Sequence, residues 1–451
     1  MEQESQRVTI STSIGKIIGT ETERCVRFLG VPFAKAERFA YADPVTDLGT
    51  FDASLPGPGC PQNRAWHEHL EHPTRLFYKR EFREGISFTY SEDCLNLNIY
   101  TPKKAERCPV IVFLYGGGFD SGLNCESPFD GSALAEQGII TVFPNYRVGP
   151  LGYLTHKEIR QQYGRDGNFG LDDQLLSLRW VKEHILSFGG DPDNITVMGQ
   201  SAGAISVQYL CLNPLCEGLF RRAVMMSGAG LFPKFALPRD SESTHDYWEQ
   251  FIREAGCASL DELRQLDLDS LFDTVEKMKT LRKDNLYHNM PVVDGYLIPA
   301  PVGQLIKTPL KLDYLIGYTN NDMYAPVMAR IGNAFGSRVG AYLYYFDVDA
   351  PGDDNRAFHS SDLRYMFGTL SGSWRPYAEA DYRISDLLVR YLASFARTGD
   401  PNGEERPVWK KARKTGLRTC VLRLGPDSMG MGYADKGKLF RNFLTKGDPK
   451  A

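Results

Sequence analysis

Short apolar runs alternate with stretches of helical periodicity from about residue 95 onward, the pattern of strands joined by crossover helices. The strand-like runs are Leu95–Tyr100, Val110–Tyr115, Ile139–Phe143, Ile195–Met198, Ala223–Met226, Tyr314–Ile316, Tyr342–Phe346 and Cys420–Leu424. Between two of them Leu171, Leu175, Leu178, Val181 and Ile185 recur three or four residues apart. That spacing lays one apolar stripe along a helix, which Gly189-Gly190 should stop. The start of the chain reads differently: Val8, Ile10, Ile14, Ile17 and Ile18, broken by Gly15 and Gly19, predict a β-rich lead-in. From Phe232 to Asn289 the sequence turns charged, with Trp248, Phe251, Ile252, Leu271 and Val275 as sparse apolar anchors. We read that stretch as a helical cap over about 232–289. No repeat or Gly/Ser linker divides the chain, so residues 1–451 are expected to form one α/β domain carrying that cap.

Charge and cysteine content narrow the possible partners. The 451 residues carry 52 Lys+Arg against 56 Asp+Glu, a net charge of −4, which offers no basic footprint for nucleic acid or an anionic membrane. The amino terminus lacks a basic and apolar leader, and the longest apolar runs fall far short of the ~18 residues of a membrane span. Nine scattered cysteines without a C-x-x-C pair fit a reducing compartment. The expectation is a cytoplasmic protein that meets small molecules, not nucleic acid or membrane, with no cofactor. His67-Glu68-His69-Leu70-Glu71-His72 invites a zinc reading, but H-E-x-x-H would need a histidine where Glu71 stands, so no metal is expected.

The strongest chemical signal is Gly199-Gln200-Ser201-Ala202-Gly203, placed after the apolar ITVM and before the helix-compatible AISVQYL. G-x-S-x-G between a strand and a helix marks a serine held at a sharp, strained turn with its hydroxyl projecting off the sheet. Ser201 is therefore the candidate nucleophile. It needs a histidine base, a carboxylate to orient that base, and donors for the oxyanion. Tyr115-Gly116-Gly117-Gly118-Phe119 follows the strand VIVFL and exposes backbone N–H groups. A phosphate loop is the rival reading of these glycines; it fails because no G-K-[ST] follows and Asp120 adds negative charge.

Several stretches, among them FLGVPFAKAERF, SEDCLNLNIYTP, FLYGGGFDSG, NYRVGPLGYL, GNFGLDDQLLSLRWV, FGGDPDNITVMGQSAG, PVVDGY and FARTGDPN, span nearly the whole chain. Together they identify the sequence as resembling the type-B carboxylesterases, in the manner of a bacterial cytoplasmic member. The resemblance implies the α/β-hydrolase fold, a central, mostly parallel, twisted sheet flanked by helices. It also implies hydrolysis of carboxylic esters through an acyl-enzyme, with Ser201 as nucleophile and the N–H groups of Gly117, Gly118 and Ala202 as oxyanion donors. Among eight histidines it points to His359, in AFHSSDLRYMFG, as the base. The other seven are read as solvated or structural. The acid is expected five residues after Gly317, at Asp322, where the family usually has Glu. Asp353, Asp354 and Asp362 are rivals that would have to fold back within the His359 loop, whereas the Ser, acid, His order calls for a carboxylate from an earlier strand end; Asp294 and Asp313 precede or begin the strand rather than follow it.

The resemblance has departures. Gln200 stands where Glu is usual, which removes a buried charge. Only 37 positions separate Asp322 from His359, a short segment that implies an open pocket. Cys60 and Cys94 match a pair bridged in secreted relatives and are expected to be free thiols here. Arg38–Glu92 and Arg147–Asp173 are expected as supporting ion pairs. Two alternatives stay open from the motifs: acyl transfer by the same triad, and a catalytically silent binding protein.

Overall fold

A computed structural model describes residues 6–66, 73–229, 237–282, 288–322, 325–412, 414–415, 418–425 and 430–434. The lead-in is β-rich as the alternation implies: β1 (Gln6–Thr12) and β2 (Gly15–Glu21) form an antiparallel hairpin, followed by β3 (Val26–Pro32). The short β4 (Ala34–Lys35) and β5 (Asp43–Pro44) pair with each other, and β6 (Gly49–Asp52) returns to β2. The remaining strands are β7 (Asn96–Thr101), β8 (Cys108–Leu114), β9 (Ile140–Pro144), β10 (Gly190–Gln200), β11 (Arg222–Met226), β12 (Asp313–Thr319), β13 (Tyr342–Phe346), β14 (Lys414–Thr415), β15 (Arg418–Leu424) and β16 (Gly430–Ala434).

Every apolar run singled out in the sequence coincides with one of these strands, within a few residues at each end. The sheet order is β1-β2-β3-β7-β9-β8-β10-β11-β12-β13-β15-β14. The stretch β9-β8-β10-β11-β12-β13-β15 is parallel throughout. Its strands are buried on both faces, which is why they read as continuous apolar runs rather than alternating ones. One strand departs from the crossover pattern: β7 runs antiparallel to both β3 and β9. The connection from Thr101 to Cys108 is too short for a crossover helix, so the chain turns back past the end of β9 instead.

The striped helix spans Phe169–His184 and tightens into a 3₁₀ turn ending at Gly189, whose φ of 83° is the left-handed cap that glycine supplies. Leu171, Leu175, Leu178, Val181 and Ile185 are all buried. The stretch read from the sequence as a cap contains helices His245–Glu254, Leu260–Gln265 and Leu268–Leu281. Their Trp248, Phe251, Ile252, Leu271 and Val275 are buried as the sparse pattern predicts. Side chains of Ser259 and Asp267 cap two of these helices by accepting from the N–H groups of Glu262 and Ser270. Among the described residues no helix is long and apolar enough to cross a membrane.

Register aligns the ends of the parallel strands. Gly199 of β10 lies opposite Leu114 of β8, Gln200 opposite Met226 of β11, Met226 opposite Gly317 of β12, and Gly317 opposite Tyr344 of β13. The loops leaving these strands therefore emerge along one carboxyl-terminal edge, where open α/β sheets form their crevices.

Candidate active site

Ser201 follows β10 and caps the helix Ala202–Cys211, all ten residues of which are buried. Its backbone is at φ 55° and ψ −124°, the strained conformation that the G-x-S-x-G turn implies. The flanking glycines have a steric cause. A Cβ on Gly199 would stand 2.4 Å from the Gly203 carbonyl, and one on Gly203 would stand 2.1 Å from the carbonyl of Leu114. Only hydrogen at both positions lets strand and helix approach so closely. The Ser201 N–H donates to the Met226 carbonyl at 2.8 Å, which ties the turn to the end of β11.

His359 lies beyond β13 and Asp322 beyond β12, and the structure brings both to Ser201. His359 Nε2 is 2.9 Å from Ser201 Oγ, and its Nδ1 is 2.5 Å from Asp322 Oδ1. The Asp322 side chain is fully buried, and that of His359 is 11% exposed. What carries the aspartate to the ring is a pairing between the two loops. Asn320 N–H donates to Phe346 O and Asn321 N–H to Ala357 O, each at 2.8 Å, and Asn321 forms an isolated parallel bridge with Phe358. The residues next to Asp322 and His359 are thus stitched together, so a side chain one methylene shorter than Glu still reaches Nδ1. Burial alone would lower the imidazole; the adjacent Asp322 carboxylate and, more weakly, Asp362 outweigh it and raise His359 above its usual 6.5.

Four of the five rival carboxylates have other partners. Asp353 forms a two-pronged bond with Arg375, at 3.0 and 2.8 Å. Although burial pushes the Asp353 carboxyl up, that guanidinium holds it below the usual range. Asp354 is exposed. Asp294 accepts from the N–H groups of Tyr296 and Ile298, and Asp313 faces Arg222 at the opposite end of β12. Asp362 is fully buried, takes the Tyr344 hydroxyl at 2.6 Å, and is pushed up to about 6, first by burial and then by the Asp322 charge.

The glycine loop after β8 abuts Ser201. A Cβ on Gly116 would stand 2.6 Å from Gln200 Oε1 and 2.9 Å from Ser201 Cβ. Gly117 and Gly118 follow with φ of 118° and 66°, so the chain reverses beside Ser201, and the Gly117 carbonyl closes the turn by accepting from Asp120 and Ser121. Ala202 is the first residue of the helix, where backbone N–H groups lack intrahelical partners.

The supporting pairs stand where the resemblance put them: Arg38 with Glu92, and Arg147 with Asp173 through contacts of 2.8 and 2.9 Å. Cys60 and Cys94 are both free and buried. The hydrogen bond its own S–H donates to Cys60, together with burial, pushes the Cys94 thiol up. Of the other histidines, His156 accepts from the N–H of Glu158, His184 hydrogen-bonds the Ser13 hydroxyl, His245 pairs with Asp166 and His288 stacks on Tyr247. His67, His69 and His72 lie outside the described residues. Among the described residues no group of three or more His, Cys, Asp or Glu side chains is arranged to hold a metal. Sequence reasoning missed one contact in the site: the Gln200 amide nitrogen lies 3.2 Å from His359 Nε2 and donates to Ser360 Oγ at 2.8 Å. Its only signal was an unusual residue beside Ser201.

The family model described as the carboxylesterase family matches residues 4–335 and 323–440. The para-nitrobenzyl esterase of Bacillus subtilis (strain 168) is 29% identical over 487 aligned positions, covering 92% of this chain and 94% of that protein. The fumonisin B1 esterase of Sphingopyxis macrogoltabida is 33% identical over 447 positions, covering 93% and 76% respectively. A solved PNB esterase structure superposes with a TM-score of 0.83 at 26% identity, over 96% of this chain and 98% of that one.

Proposed function

The chain belongs to the carboxylesterase family and is a serine carboxylesterase of the α/β-hydrolase fold acting on small-molecule esters, and from that premise we propose that Ser201, His359 and Asp322 perform its hydrolysis. The observation that carries the assignment is the unbroken chain of contacts from Ser201 Oγ to His359 Nε2 and from Nδ1 to Asp322 Oδ1.

In this reading the Ser201 oxygen attacks the ester carbonyl carbon while its proton passes to Nε2 of neutral His359. Asp322 accepts the Nδ1–H, fixes the tautomer and stabilises the imidazolium. The carbonyl oxygen, now an anion, takes hydrogen bonds from the N–H groups of Gly117, Gly118 and Ala202. Collapse breaks the bond to the alcohol, which leaves with the Nε2 proton. Water then repeats the sequence on the acyl-Ser201, releasing the acid and restoring the hydroxyl. We read the chain as one domain with the 232–289 stretch as its cap, a reading supported by the three helices there. A cytoplasmic location belongs to the same proposal, supported by eight described cysteines that all stand as free thiols.

The test is a chromogenic ester series of increasing acyl and alcohol bulk, run with wild type and Ser201→Ala. Wild type should hydrolyse bulky members as well as small ones, since only 37 positions are available to wall the pocket between Asp322 and His359. Ser201→Ala should fold normally and show no turnover; residual turnover in a protein free of host esterase overturns the nucleophile.

A further inference from the structure

His359 has one lone pair on Nε2 when Nδ1–H is committed to Asp322, and two donors converge on it. One is the Ser201 hydroxyl at 2.9 Å; the other is the Gln200 side-chain nitrogen at 3.2 Å. Gln200 is buried, and its nitrogen also donates to Ser360 Oγ at 2.8 Å; its Oε1 lies against the glycine loop, 2.6 Å from where a Cβ on Gly116 would stand. Ser360 reaches this position from a left-handed backbone, φ 81°, immediately after His359. The amide thus spans the glycine loop on one side and the histidine loop on the other.

We propose that Gln200 is a positioning residue for the hydrolysis, its N–H sharing the Nε2 edge of His359 with the Ser201 hydroxyl and holding the ring in its neutral, proton-accepting state. The proposal rests on the assignment of Ser201 and His359 above. A donor aimed at Nε2 stabilises the neutral ring and opposes the imidazolium, because a protonated Nε2 would face a second N–H. The charged groups facing His359 are Asp322, from the loop after β12, and Asp362, from the helix Asp362–Phe367; both favour the imidazolium. Gln200 is the counterweight on the third side. It has a second consequence: once Ser201 is acylated its hydroxyl proton is gone, and Gln200 remains a donor on the Nε2 edge until the hydrolytic water arrives.

The pH dependence of kcat/KM for wild type, Gln200→Met and Gln200→Glu tests this, with thermal melts to verify folding. Methionine keeps the bulk and removes the donor; glutamate adds a carboxylate beside Nε2 that favours the imidazolium. The acid limb should move upward in the order wild type, Met, Glu, the last by about one pH unit or more, as for a new opposite charge within ~4–6 Å. A merely structural role would lower the plateau and leave the limb in place. Limbs that coincide in whichever variants fold, or that move downward, overturn the proposal. Ser201→Ala in the same assay separates the two failures: if it is inactive while the limbs coincide, only the role of Gln200 falls, and if it retains turnover, the triad falls with it.

Discussion

At His359 the site's chemistry comes down to opposed pressures on one ring. Burial disfavours its charge, while Asp322 at 2.5 Å favours it, and the net effect is a raised imidazole. The sign for activity follows directly. The ring must be neutral to accept the serine proton, and a raised value keeps it protonated to higher pH. The acid limb of kcat/KM should therefore lie above the ordinary 6.5, and a pH profile flat from 5 to 9 contradicts the base assignment. Asp322→Asn should cut kcat by roughly 10³ to 10⁴ with little change in KM, because the wrong tautomer is then held at Nδ1. Near-normal kcat in that variant, with loss in Asp362→Asn, moves the acid to the neighbouring carboxylate. Ser201 was legible from five adjacent residues. The Gln200 contact was not, since it joins residues 159 positions apart.

Elements matter here chiefly through how closely β8, β10 and the helix Ala202–Cys211 approach one another. Gly203→Ala introduces a methyl group 2.1 Å from the Leu114 carbonyl, so the helix must shift away from β8 and carry Ser201 with it. We expect a loss of about 1–3 kcal/mol or more in stability, as for overpacking, with a fall in kcat/KM. Denaturant unfolding and kinetics on the same sample check it, and an unchanged variant contradicts the close-approach argument. The parallel strands were legible because burial on both faces leaves an uninterrupted apolar run. The direction of β7 was not, because direction depends on which neighbours a strand finds, and its own residues carry no mark of that choice. The loop pairing of Asn321 with Phe358 is equally silent in sequence: two irregular segments meet through backbone atoms that every residue possesses.

For the whole molecule, the sheet's one carboxyl-terminal edge gathers groups from distant parts of the chain: the glycine loop at 116–118, the turn at 201, and the loops carrying Asp322 and His359. Buried pairs such as Arg147–Asp173 hold the surrounding loops, and each of their charges would be costly alone. The chain-wide motifs made this framework readable, since strands, turn glycines and ion pairs recur at matching positions; the fit between side chains inside the site had to be seen in three dimensions. The most direct test of the central claim is labelling with a fluorophosphonate, which reacts as an ester does but stops at the covalent adduct, followed by peptide mass analysis. A single adduct on Ser201, formed in step with loss of esterase activity and absent from a protein carrying His359→Ala, is the predicted result. An adduct on another residue, or full hydrolysis by protein labelled at Ser201, contradicts it.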